Sequence, residues 1–114
     1  MNRDDLEFIV NHREAVCADI MLRKGNIYTG DLDRLANFKM AGNILGCEPE
    51  YSLINMMMKH VCRLAKMVKE LNDHNRHADQ DAWAEVFTDL HNYLYLIEAL
   101  LTERYAWDHA MGGN

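Results

Sequence analysis

The sequence predicts an all-α protein, a compact bundle of about four helices that associates with copies of itself. Three observations predict it. Apolar residues recur every three or four positions through most of the chain, as one face of an α-helix requires. A single proline, Pro49, and six glycines placed mostly at junctions divide the chain into long uninterrupted pieces. The length of 114 residues, 49% of them hydrophobic, suits one modest core, and a second copy is a natural way to cover more apolar surface.

The first helix is expected over about residues 4–22, where Leu6, Ile9, Val10, Val16, Cys17 and Ile20 keep helical spacing. It stops at RKGNIYTGD, a turn-rich loop bracketed by Gly25 and Gly30. The second, over about 31–45, carries Leu32, Leu35, Phe38 and Leu45 on one side, with Asp31 or Asp33 as its cap and Gly46 as its stop. The third, about 49–72, opens with Pro49 at a favoured first-turn position, and its stripe of Leu53, Met56, Met57, His60, Leu64, Met67 and Leu71 is the clearest 3.6-residue pattern present. The polar stretch NDHNRHAD breaks it. The fourth, about 79–104, carries Trp83, Val86, Phe87, Leu90, Leu94, Ile97 and Leu101. The whole is read as a single domain, 1–114, with a fraying tail over 105–114.

Composition narrows the function classes. A net charge of −6 without a long basic run argues against direct binding to nucleic acid or anionic lipid, since phosphate would be repelled. Three cysteines, at 17, 47 and 62, have no CxxC spacing, so reduced thiols are expected rather than disulfides or structural zinc. The opening MNRDDLEFIVNHREAV is charged and no apolar run approaches a membrane span, so a cytoplasmic location is expected. Cys17 and Cys62 sit in apolar helical positions and no serine occupies a nucleophile elbow, which removes covalent catalysis.

The fourth helix poses the main chemical question. In DQDAWAEVFTDLHNYLYLIEALL, Asp81, Glu85 and Asp89 recur every four residues and Asn92 follows three later, forming a ridge beside the apolar stripe. Like charges at this spacing repel by a few tenths of a kcal/mol each, and no Lys or Arg lies between Arg76 and Arg104. A solvated acidic face accounts for the row. So does a Mg²⁺ or Mn²⁺ ion, which takes oxygen ligands and bridges to substrate phosphates. On the third helix Lys59, Arg63 and Lys66 form a basic ridge that either clamps phosphate or pairs with the acids of the fourth; His60, on the apolar seam, reads as a core histidine. The loop places Lys24 beside Gly25, Asn26 and Tyr28, groups able to contact phosphate and stack on a base, although a helix C-cap followed by a turn explains its glycines equally. Glu14 is the candidate on the first helix to add a carboxylate.

These residues carry a resemblance. REAV at 13–16, KGNIYTGD at 24–31, LANFKMAGNILG at 35–46, RLAKMV at 63–68 and EVFTDLHNYLYLIEALL at 85–101 are together similar to the phage and bacterial nucleotide-modification-associated domain, a family related to the MazG-like all-α nucleoside triphosphate pyrophosphohydrolases. The resemblance implies a helical bundle that binds Mg²⁺ through carboxylates and hydrolyses a nucleoside triphosphate to monophosphate and pyrophosphate. Family acids match Asp81, Glu85 and Asp89, followed by Asn92 and Tyr93, and family positions match Lys24 and Asn37. Two positions where the family carries acids hold Ile27 and the Lys59–His60 pair here. On this reading Asp81, Glu85 and Asp89, with Glu14, hold the metal; Glu85 and Asp89 activate water through it; Lys24, Lys59 and Arg63 neutralise phosphate; Tyr28, Asn37 and Asn92 contact the rest of the nucleotide. The rival expectations are a non-catalytic helical factor that blocks a host or defence protein, and a protein that sequesters nucleotide without cleaving it.

Overall fold

The computed structural model describes residues 1–24 and 33–108. The chain is all-α, with four α-helices and no strand among the described residues. Its residues fall by internal contacts into two compact units, Met1–Arg34 and Leu35–Asn114.

In the first unit, α1 spans Arg3–Ala18. Its start is fixed by a reciprocal capping box: the Asp5 amide donates to Asn2 Oδ1 at 2.9 Å, and the Asn2 amide donates to Asp5 Oδ2 at 3.3 Å. The helix was expected to continue to residue 22. Instead it widens after Ala18 into a π-helical segment, Asp19–Lys24. The wider i→i+5 turn leaves carbonyls at its end, and Arg34 returns to take two of them, donating to Met21 O at 3.3 Å and Leu22 O at 3.0 Å. The apolar spacing through Ile20 marked a helix, but it carries no signal for this change of pitch.

The second unit is a bundle of α2 (Ala36–Leu45), α3 (Pro49–His74) and α4 (Gln80–Tyr105). The α2 start is corrected from about 31 to Ala36, and its N-cap is Leu35, with no side-chain cap, rather than Asp33; Asp31 lies outside the described residues. Leu35 is buried in the core, so tertiary packing decides this boundary over capping chemistry. Gly46 ends α2 in the left-handed conformation at φ 71°, as expected, and Pro49 opens α3. Asn75 ends α3, also left-handed, and Asp79 starts α4 by accepting from the Ala82 amide at 2.8 Å.

Helices α3 and α4 lie antiparallel. Leu53 and Leu100 are buried together with Leu35, and Phe38, Met56, Tyr93, Leu96 and Ile97 pack around them. Arg104, in the last turn of α4, clamps the other end of this seam: its Nε donates to Glu50 Oε1 at 2.9 Å and its Nη2 to Glu50 Oε2 at 2.8 Å and Glu48 Oε2 at 2.5 Å. Lys39 of α2 pairs with Glu103 beside it. No helix among the described residues is long and apolar enough to cross a membrane.

Candidate functional site

The antiparallel register of α3 and α4 sets the acidic row of one helix against the basic ridge of the other. Arg63 Nη1 donates to Glu85 Oε1 at 2.9 Å. One turn along, His60 Nδ1 lies 3.4 Å from Asp89 Oδ2, an ion pair when the imidazole is protonated. The His60 ring also lies against Tyr93, with centroids 5.1 Å apart. Tyr93 is half-buried, and burial with the Asp89 charge beside it pushes its phenol pKa above the ordinary value. The result is a strip of alternating charge along one side of the helix pair. Pairing across helices is one of the two outcomes open to the basic ridge, and it relieves the repulsion along α4 that the sequence leaves unbalanced.

Asn92 lies one turn beyond Thr88 on the same strip. Its Oδ1 is enclosed and has no hydrogen-bond partner among the described residues, an arrangement costing on the order of 1–3 kcal/mol unless a donor arrives. Asp81 is exposed in the first turn of α4. The row does not act as one ligand set. Asp81 and Asp89 are eight residues apart, about 12 Å along the axis, so a single ion reaches adjacent members only, such as Glu85 and Asp89.

The remaining expected residues take no part in these two pairs. Lys59 is exposed on α3, and Asn37 is exposed in the first turn of α2. Glu14 is exposed on α1, in the Met1–Arg34 unit. Tyr28 lies outside the described residues, as does the side chain of Lys24. Tyr93 was legible in the sequence only as part of the Asn-Tyr pair that carries the family resemblance. The Arg104 clamp was missed, although its isolation in a long acidic stretch was a signal: a lone cation among carboxylates is a natural bidentate partner.

Among the described residues no group of three or more His, Cys, Asp or Glu side chains converges to hold a metal. The donors therefore do not form a cage for a resident ion. Glu85 and Asp89 do fit a Mg²⁺ that arrives on a nucleotide, because Mg²⁺ is commonly held by one or two carboxylates plus substrate phosphates. A groove of about 700 Å³ at the C-terminal end of α4, lined by Tyr95, Glu98, Thr102, Glu103 and Trp107 among others, is a poor phosphate site, since its carboxylates repel the ligand. Comparison with protein-family models, with curated proteins and with solved structures gives no match to this chain.

Proposed function

We propose that this protein binds a nucleoside triphosphate at the α3–α4 strip, with Mg²⁺ arriving on the nucleotide, and cleaves it to monophosphate and pyrophosphate. The observation that supports this reading is the cross-helix pairing of Arg63 with Glu85 and of His60 with Asp89. Without ligand, the cation and carboxylate of each pair neutralise one another. A magnesium triphosphate offers each a replacement: the carboxylates take the metal, and Arg63 takes phosphate oxygens. Both pairs are partly exposed, so opening them costs little, of the order of 1 kcal/mol or less each.

Arg63 neutralises the polyphosphate, with the exposed Lys59 four residues earlier on α3 adding positive charge, and Glu85 and Asp89 hold the metal side. The metal, when bound, polarises the phosphoryl group and lowers the pKa of a water. Asn92 is given to the nucleotide by the family resemblance alone, since its enclosed Oδ1 is out of a ligand's reach. Tyr93, held protonated, keeps a hydroxyl donor beside Asp89. Asn37 and Asp81 remain proposed contributors from the family resemblance.

With Mg²⁺, the purified protein should release pyrophosphate from at least one member of a panel of triphosphates that includes modified bases, and Asp89→Asn should abolish release. Turnover of no member would refute the enzyme reading. A second reading, a helical factor that blocks a host or defence protein, is favoured by the many large apolar side chains left exposed. It predicts no stabilisation by magnesium and nucleotide. A sequestering protein would show that stabilisation without turnover.

A further inference from the structure

The groove at the C-terminal end of α4 is a poor site for phosphate, and the same features that exclude an anion suit a different ligand. It measures about 700 Å³, within the range of small-molecule sites, and Tyr95, Glu98, Thr102, Glu103, Trp107 and Asp108 line it. Glu98 lies nine residues beyond Asp89, about 14 Å along the helix axis, so the groove is separate from the charged strip.

The end of the helix builds one wall. Ala106 closes α4 at φ 51°, the left-handed conformation that glycine usually supplies at such a position. The Trp107 amide then donates to Thr102 O at 3.0 Å, which turns the chain back toward the helix. Trp107 thereby lines the groove, tilted against the Tyr105 ring with centroids 5.4 Å apart. Tyr95, two to three turns earlier on α4, supplies the second aromatic wall. Both rings keep accessible surface, Tyr95 at 44% and Trp107 at 40%.

The charge of the groove is negative. Three of its lining residues are carboxylates, and Lys39 pairs with one of them, Glu103. Carboxylates repel anions, and among the described residues they do not converge in a group that would hold a metal ion. A neutral apolar molecule would strip water from them and offer no hydrogen bond in return. An organic cation meets every wall: the aromatic faces attract an ammonium group and cover its alkyl chain, and the carboxylates pair with its charge. We infer that this groove binds a linear aliphatic polyamine, its chain against Tyr95 and Trp107 and an ammonium group at Glu98. Alkyl amines of this kind, like the lysine side chain, are protonated at neutral pH.

The test is calorimetric titration of the full chain with cadaverine and with spermidine at low ionic strength, without magnesium or nucleotide. Saturable binding of one amine per chain is expected. Glu98→Gln should weaken it about tenfold or more, as loss of a charged hydrogen-bond partner does. Trp107→Leu should weaken it several-fold through loss of a cation–π face, with the helical circular dichroism retained in both variants. Glu7→Gln, at an exposed position on α1, removes the same charge elsewhere and should leave binding unchanged. A second readout leaves the groove intact: in Trp83→Phe, Trp107 is the only tryptophan, and its emission should change and saturate at the same amine concentration as the heat. Absence of saturable binding, binding unaltered in Glu98→Gln, equal weakening in Glu7→Gln, or Trp107 emission that stays constant while amine binds would each overturn the inference.

Discussion

Single side chains decide the two ends of the α3–α4 seam. At one end the Arg104 guanidinium, hydrogen-bonded to Glu50, holds the Glu50 carboxyl below the ordinary value of 4.5. A depressed carboxyl stabilises the fold above its unfolded pKa and loses that contribution as pH falls through its folded value. Glu50→Gln should therefore lower the urea midpoint near neutral pH, with the gap to the wild type closing well below pH 4.5. At the strip, burial raises the Tyr93 phenol, the opposite case: its contribution is in place at neutral pH and lost as pH rises through the folded value. Tyr93→Phe should remove a step above the ordinary phenol value from the alkaline absorbance titration. In the core, Leu53 is fully buried, and Leu53→Ala should cost about 2–5 kcal/mol in chemical denaturation. Leu53 was legible as a core residue from periodicity alone, whereas the Arg104 clamp was not, because its partners Glu48 and Glu50 are more than fifty residues away in sequence.

Helix boundaries were legible where local chemistry sets them and obscure where packing does. Pro49, Gly46 and Asp79 mark their ends in the sequence, and α3 and α4 start within a residue of the expectation. The α2 start and the π-helical end of the first unit were missed, because Leu35 packing and Arg34 capping are tertiary events. Gly42, inside α2, and Gly46, at its end, separate two kinds of constraint. A Cβ at Gly42 would lie 2.8 Å from Cys47 O and 3.0 Å from Pro49 N, both backbone atoms, so the turn must move to admit it. Gly42→Ala should cost about 1–3 kcal/mol or more, as overpacking does. At Gly46 nothing lies within 4 Å, and the left-handed backbone is the sole obstacle, so Gly46→Ala should cost about 1–2 kcal/mol. The apolar stripes were also only half legible. Periodicity identified which faces of α3 and α4 are apolar, but in reading one stripe on α4 it merged Val86, buried, with Phe87 and Leu94, exposed.

For the whole molecule, the acidic row that looked self-repelling is balanced in part by the neighbouring helix, through Arg63 at Glu85 and His60 at Asp89. Sequence spacing revealed both ridges, yet their pairing depends on the antiparallel register. The axial rise of the helix then divides the row into adjacent pairs, of which the proposal takes Glu85 and Asp89 for the metal because both face cations of α3. The most direct measurement is thermal unfolding of the full chain with Mg²⁺ alone, with each triphosphate alone, and with both. If the two paired charges exchange partners on a magnesium triphosphate, the midpoint should rise only with both present, by roughly 10 °C at a hundred times Kd, and the rise should vanish in Glu85→Gln with Asp89→Asn. A midpoint unmoved by every magnesium–nucleotide pair, or a rise that persists in that double variant, would contradict the account.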